Sequence, residues 1–374
     1  MLFAVVCAIA KDEDFGLREW VDYHLMIGFD KIFLFDNESR TPVRDILRDY
    51  VDAGVVAVSD IAGHGVQLSA YASFVAQFRE TAEWAAFIDV DEFIVPKDCG
   101  RIADLLDRYD EFGGLGISWK VFGSCGYVSR PDRPVTEAYD RVLSRDTHIK
   151  TIVRLRDVAK VCSPHHFEFK GDRCCVNEHG VPVLGPESYH TSETVQVNHY
   201  YYKSQQDYEC KSARGFATPL LHCEGYDMAR FYRQAERKGE LDTAIKRFAS
   251  ALRSFRRDGA RLAACRLAEA CSFDEPAVLA EAGRLLLESG TKAALAYLRE
   301  KERYVNPVSF GLARVRILAA SGAREETLRA VRLLLLRHKD NAVAFDAVLQ
   351  ELTQAYRRLG LSEQAEAVAH MLAV

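Results

Sequence analysis

Residues 3–96 alternate between short apolar runs and stretches of helical periodicity, and each apolar run ends in polar residues. Residues 3–10 read as a strand and stop at Lys11-Asp12-Glu13-Asp14. Leu17, Trp20, Val21, His24, Leu25 and Ile27 then recur at three- and four-residue spacing, which predicts a helix ending at Gly28. A second strand, Lys31 to Phe35, breaks off into Asp36-Asn37-Glu38-Ser39; a helix over 43–53 and a strand over 55–58, ending at Asp60, follow. A helix over 67–84 leads into the run 85–96. This order predicts a mostly parallel sheet with right-handed crossovers, in which the strand ends share one edge. Asp-Asn-x-Ser makes a good turn and Lys-Asp-Glu a good helix start, but four polar clusters on one edge imply a crevice.

The run Ala85-Ala86-Phe87-Ile88-Asp89-Val90-Asp91-Glu92-Phe93-Ile94-Val95-Pro96 carries three acids inside apolar sequence. Read as one buried strand, it points Asp89 and Asp91 to the same side, about 7 Å apart. Neighbouring half-buried carboxylates repel, so one is protonated unless a cation intervenes. A divalent ion such as Mg²⁺ or Mn²⁺ removes that penalty and leaves positions open for phosphate oxygens. The plainer reading is a pair of strand-end acids capping the next helix.

The chain has 374 residues, 48% of them hydrophobic, enough for two or three domains. A net charge of −5 gives no global attraction to nucleic acid or to an acidic membrane. No apolar run approaches the ~20 residues of a membrane span, so membrane contact is expected to be peripheral at most. Met1 to Ala10 has the Ala-x-Ala ending of a signal peptide but no basic segment, and a first core strand is the expectation. The ten cysteines form no Cys-x-x-Cys pair, and Cys174-Cys175 reads as incidental. Reduced thiols and a cytoplasmic setting, extending to the inner face of the membrane, are expected.

Further on, Gly113 to Trp119 returns to a strand, Phe122-Gly123-Ser124-Cys125-Gly126 reads as a loop, and residues 135–172 suggest antiparallel strands. Trp119 and Gly123 are candidate acceptor contacts, by ring stacking and by close backbone approach; core packing and a tight turn are the alternatives. Ser204 to Asp207 resembles a capping box opening a helix that carries Lys211 and Arg214, cations that could face phosphates alongside Lys203. After Pro219 and Gly225 strand signals vanish. Helices end at Gly290, Gly322 and Gly360, spaced by 32 and 38 residues, the rhythm of stacked helical hairpins resembling tetratricopeptide repeats. The expected division is therefore 1–220 and 226–374, with the basic stretch Arg247 to Arg266 as a solvated helix face.

Ala10-Lys11-Asp12-Glu13, Glu19-Trp20-Val21-x-Tyr23-His24, Phe35-Asp36-Asn37-x-Ser39 and Phe87 to Phe93 together resemble the GT-A glycosyltransferases of the family-92 and family-2-like groups. Trp119-x-x-Phe122-Gly123-Ser124, the basic strand around Lys150 and Asn198-His199-Tyr200-x-x-Lys203-Ser204 follow the same pattern, so the resemblance spans about 3–215. It implies an α/β GT-A domain, Rossmann-like with a mixed, mostly parallel sheet, ahead of an all-α helical-repeat domain. It also implies a nucleotide-diphosphate sugar donor, a glycan or glycolipid acceptor, inversion at the sugar and a place in polysaccharide biosynthesis. Asp89 and Asp91 would hold Mn²⁺ or Mg²⁺ on the diphosphate, with His199 as third ligand and His165 or His166 as competitors. Lys11 and Glu13 would border the nucleoside and Asp36 would accept from the base, with Asn37, Asp60 and Asp89 as further nucleotide contacts. The family often has Asn where Asp12 stands. Glu137 and Glu168 are the candidate catalytic bases, chosen because they lie downstream of the acids inside the matched region.

A nucleotidyltransferase would use the same acids and metal. A scaffold whose helices bind a protein partner would need neither. The retained Asp89, Asp91, Asp36 and His199 favour the enzyme.

Overall fold

The computed structural model describes residues 2–214, 228–235, 239–271, 275–301, 307–338 and 342–371. It divides into two compact units, 2–268 and 269–374.

The first unit opens with β1 (Leu2–Ala10), α1 (Leu17–Met26), β2 (Lys31–Asp36), α2 (Val43–Ile46), α3 (Arg48–Asp52), β3 (Val56–Asp60), α4 (Gln67–Phe78) and β4 (Ala82–Phe87). These strands form a parallel ribbon in the order β3-β2-β1-β4. The first ten residues thus supply a central strand, buried from Ala4 to Ala10. The helix expected over 67–84 ends at Phe78 because Ala82 to Phe87 pairs with β1.

The remainder of this unit runs through β5 (Glu92–Pro96), α5 (Ile102–Leu106), β6 (Gly114–Phe122), α6 (Val135–Ala138), β7 (Arg141–Arg154), β8 (Val158–Val161) and β9 (Phe167–Phe169). Then come β10 (Cys175–Val176), β11 (Pro182–Val183), β12 (Val195–His199), α7 (Gln205–Arg214), α8 (Met228–Gln234), β13 (Glu240–Leu241), α9 (Ala249–Phe255) and α10 (Gly259–Cys271). β7 joins the ribbon antiparallel to β4 and is followed outward by β6, making the sheet mixed. β12 pairs with β6 in parallel and with β5 in antiparallel fashion, while β8 and β9 form a separate ladder.

Apolar layers cover both sheet faces. Trp20, Tyr23 and Leu25 of α1 belong to one core with Phe93 and Tyr200, and Tyr71 and Phe74 of α4 to another with Phe33 and Phe87. Burying each such aromatic is worth about 2–3 kcal/mol before conformational costs.

The sequence division at 220–226 falls on residues outside those described, and the compact unit extends beyond it. The basic stretch is solvated only in part: Arg257 and Arg261 are exposed, whereas Arg253 pairs with Glu137 at 2.6 Å, Arg256 with buried Asp22 at 3.4 Å, and Arg266 donates to the Leu25 carbonyl at 2.6 Å. Arg247 donates to the Lys97 carbonyl. Spent on acids and carbonyl groups of the sheet domain, these side chains keep α9 and most of α10 with it.

The second unit contains α11 (Glu275–Ser289), α12 (Thr291–Lys301), α13 (Pro307–Ala320), α14 (Arg324–His338), α15 (Ala342–Arg358) and α16 (Ser362–Met371). Gly290, Gly322 and Gly360, at φ +82°, +75° and +73°, turn the chain between the members of each successive pair. Among the described residues no helix is long and apolar enough to cross a membrane.

Candidate active site

The acidic run is not one strand. β4 ends at Phe87, β5 begins at Glu92, and Asp89 to Glu92 form a turn in which the Glu92 amide donates to the Asp89 carbonyl at 3.0 Å. The Glu92 carboxylate, wholly buried, accepts from the Asp89 amide at 2.8 Å and locks the turn. Asp89 and Asp91 therefore do not alternate along an extended chain, and each has its own lysine. Lys150 on β7 donates to Asp89 Oδ2 at 2.8 Å and lies 3.4 Å from Glu92, while Gln67 donates to Asp89 Oδ1 at 2.7 Å. Lys211 on α7 donates to Asp91 Oδ2 at 2.6 Å. His199 Nε2 stands 3.6 Å from Asp91 Oδ1, placed there because His199 pairs with Glu92 in the β5–β12 ladder.

Burial alone would push the Asp91 carboxyl up; Lys211, supported by His199 and Lys203, more than reverses this and holds it below the ordinary range. Burial lowers His199 to about 4 against the pull of Asp91, so at neutral pH it is an uncharged imidazole. Burial also drives Glu92 well above the usual carboxyl value, opposed by Lys150. His199 Nδ1 and Glu92 Oε1 are buried and have no hydrogen-bond partner among the described residues.

The Glu19 to His24 motif is a bracket around this turn. Trp20 Nε1 donates to the Glu92 carbonyl at 2.7 Å and the Tyr23 hydroxyl to the Ile94 carbonyl at 3.0 Å. His24 Nδ1 donates to Trp20 O at 2.8 Å, leaving Nε2 to accept from the Ile94 amide at 3.4 Å; burial holds this imidazole neutral, at about 3. Glu19 accepts from the amides of Val135 and Thr136 and from the Thr136 hydroxyl, at 2.7, 3.0 and 2.8 Å. Glu19→Ala strands these donors, and a stability loss of about 3 kcal/mol is expected from the denaturation midpoint. A loss below about 1 kcal/mol would show that water replaces the carboxylate.

A narrow cleft of about 40 Å³ opens beside Asp91, lined among others by Glu13, Arg130, Lys203, Lys211 and Arg214. Arg214 pairs with Glu13, Lys203 lies 3.8 Å from Glu13, and Arg130 pairs with Asp207 at 2.6 Å. The capping box forms as expected, with Asp207 N donating to Ser204 Oγ at 3.1 Å and Ser204 N to Asp207 Oδ2 at 3.3 Å. A larger cavity, about 710 Å³, shares Phe15, Arg130, Lys203 and Asp207 with the cleft.

On β7, His148 and Lys150 both reach the Trp119 ring, and Asp146, within the stretch where the β6–β7 register breaks, bonds to His148. Asp146 Oδ1 accepts from the His148 ring at 2.7 Å and from its amide at 3.0 Å. That hydrogen bond raises the His148 pKa, and the same contact lowers Asp146 to about 2. Trp119 joins these residues to the acids: its ring centroid lies 5.4 Å from His148, 5.1 Å from His165 and 4.4 Å from His199.

Of the residues expected at the site, Asp91 and Glu13 line the cleft, His199 stands against Asp91, and Asp89 lies in the same turn. Others have local duties. Asp36 accepts from the Ser39 and Val43 amides at 3.0 and 2.9 Å, folding the loop after β2. Asn37 donates to the Ile61 and Gly63 carbonyls, both at 3.0 Å. Lys11 offers its carbonyl to Arg214 at 2.7 Å, and Asp60, opposite Asp36 in the ladder, is exposed. Gly123 serves packing rather than sugar approach: a Cβ there would lie 2.8 Å from Leu143 and 2.9 Å from the Ala235 carbonyl. Trp119 is packed among histidines rather than standing open. Neither candidate base is recorded in contact with the acids, since Glu137 pairs with Arg253 and exposed Glu168 faces the Cys162 thiol at 3.3 Å. Lys150, Gln67, Asp146 and His148 were missed as site residues; the Asp-x-His-x-Lys alternation was the available signal.

The description "Glycosyltransferase family 92" matches residues 4–225. A family 92 protein of Oryza sativa subsp. japonica is 27% identical over 220 residues, covering 57% of this chain and 35% of that one. One of Ricinus communis is 26% identical over 229 residues, covering 58% and 38%. A galactan beta-1,4-galactosyltransferase of Arabidopsis thaliana is 27% identical over 146 residues, covering 36% and 29%. The S. aureus TarS 1-349 crystal structure aligns over 91% of this chain and 92% of that one at 12% identity, with a TM-score of 0.32, too low to argue a shared fold. The chain thus spans little more than a third of the length of its plant relatives. The matched segment holds the acid turn, its bracket, both lysines and His199, and on that match the chain belongs to glycosyltransferase family 92.

Proposed function

We propose that the protein transfers a sugar from a nucleotide-diphosphate donor to a hydroxyl of a glycan or glycolipid, with inversion, in the GT-A manner. One observation carries this reading: Asp91 and neutral His199 face each other at the edge of the sheet, beside a cleft walled by cations. Their 3.6 Å separation is near the spacing of two ligands about 2.1 Å from one ion, roughly 3 Å when at right angles. Among the described residues no cluster of three or more metal-binding side chains occurs. What the site offers an ion is one carboxylate and one imidazole, to be completed by phosphate and water. Bound there, Mn²⁺ or Mg²⁺ would offset charge growing on the leaving diphosphate. Asp89, fixed by Gln67 and Lys150, is read as a donor contact rather than a ligand.

His148 takes the base role expected of Glu137 or Glu168. Its Nδ1 is held by Asp146, and Nε2 of the neutral ring, 3.7 Å from Glu187 Oε1, is the atom that would accept a proton. The acceptor oxygen then bonds to the anomeric carbon while the bond from that carbon to the diphosphate oxygen breaks, its electron pair leaving with the diphosphate. His148→Gln is expected to cut turnover about 10²–10⁴-fold. The base works unprotonated, and Asp146 raises its pKa, so the parent's rate should climb with pH through a value above that of an ordinary histidine. Asp146→Asn should move that limb to lower pH. A rate profile that keeps its shape in both variants would exclude the dyad.

A calorimetric screen of nucleotide sugars with and without Mn²⁺ tests the whole reading, followed by turnover of the donor that binds. Released nucleoside diphosphate means sugar transfer, whereas released pyrophosphate would mean nucleotidyl transfer. The helical unit is proposed as a platform for a glycan or protein partner, and the setting as cytoplasmic.

A further inference from the structure

The cleft at Asp91 is narrow, about 40 Å³, and shares Phe15, Arg130, Lys203 and Asp207 with the larger cavity. Its cations are spent on its own acids: Arg214 on Glu13, Arg130 on Asp207, Lys211 on Asp91. Among these pairs Lys211–Asp91 is distinct, because its carboxylate is the one that faces His199. The two lysines of the acid turn also differ. Lys150 is 1% exposed and wedged between Asp89 and Glu92, whereas Lys211 forms part of the cleft wall and rests 4.2 Å from the Tyr201 ring centre.

Resting on the metal site proposed above, we infer that Lys211 is an exchange cation: it neutralises Asp91 until the donor arrives, then passes to the diphosphate as the divalent ion takes the carboxylate. Charge bookkeeping requires the two moves to be linked. An ion binding alone must expel Lys211 from Asp91 and leave an ammonium beside a dication. A diphosphate binding alone must draw Lys211 away and leave Asp91 bare. Together they re-pair every charge, so each strengthens the other's binding reciprocally.

Mn²⁺ and inorganic pyrophosphate are sufficient probes, with the full chain and free Mn²⁺ read by electron paramagnetic resonance. In Lys211→Met, Mn²⁺ alone should bind about tenfold or more tighter, because a close competing charge is gone. Pyrophosphate, with Mn²⁺ saturating, should bind about tenfold or more weaker, because a charge-assisted hydrogen bond is lost. Opposite signs for the two probes are the signature, and Lys211→Arg should restore most of the pyrophosphate affinity. Unchanged or weaker Mn²⁺ binding in Lys211→Met would overturn the exchange. Asp91→Asn separates the two layers. If it abolishes Mn²⁺ binding while Lys211→Met does nothing, the metal site stands and the exchange fails; if it leaves Mn²⁺ binding intact, both fall.

Discussion

Lys150→Met is expected to destabilise the sheet unit by about 3–5 kcal/mol, the cost of leaving a buried ion pair with one member. Lys150 is 1% exposed, and burial lowers its pKa less than Asp89 and Glu92 raise it, so it is charged in the fold. Its removal leaves the wholly buried Glu92 and the adjoining Asp89 without their cation. All three tryptophans, Trp20, Trp84 and Trp119, lie in this unit, so their fluorescence in urea reports its unfolding separately from the helical unit. Adding Asp89→Asn and Glu92→Gln to Lys150→Met should recover much of the loss, because no unpaired charge remains. A shift worth less than about 1 kcal/mol would mean that water reaches the turn and screens it.

Asp91→Asn is expected to lower sugar transfer by about 10³-fold or more while leaving the fold intact. The loss corresponds to several kcal/mol of charge stabilisation on the departing diphosphate, at about 1.4 kcal/mol per factor of ten. Asparagine keeps the volume and an oxygen but not the charge, and Lys211 can turn to Tyr201 O, which already accepts from it at 3.3 Å. Released nucleoside diphosphate, measured with the donor found by the binding screen, gives the rate. Retention of a tenth of the parent's rate would place the ion elsewhere.

The strands and helices up to residue 60 were legible because their periodicity is local: each apolar run or helical stripe announces itself within a dozen residues. The run 85–96 was misread for the same reason. Its composition is that of one strand, while the break at Asp89–Glu92 depends on a Glu92 carboxylate turning back onto the Asp89 amide. Likewise Ala82 to Phe87 is apolar enough to extend α4, and its pairing with β1 decides the matter. The acids and the basic residues were visible; their pairing was not, since Lys150 and Lys211 reach the acids from 61 and 120 residues away. Asp36 has a local duty that the sequence did not show, accepting from the Ser39 and Val43 amides to fold the loop after β2.

The β5–β12 ladder also sets an order of assembly. β1, β2 and β3 find neighbours within about 30 residues, so their loops close cheaply and early, and β4 then adds beside β1. β5 has no strand partner until β12 emerges about a hundred residues later, and its Phe-Ile-Val core would meanwhile be an exposed apolar edge prone to wrong pairing. α1 is already made by then. Trp20, Tyr23 and His24 hydrogen-bond to the main chain of β5 itself, so they can hold it against the first core while synthesis continues. Variants of that bracket should therefore show themselves first as lost yield at higher growth temperature, before any fault in the chemistry of the mature protein.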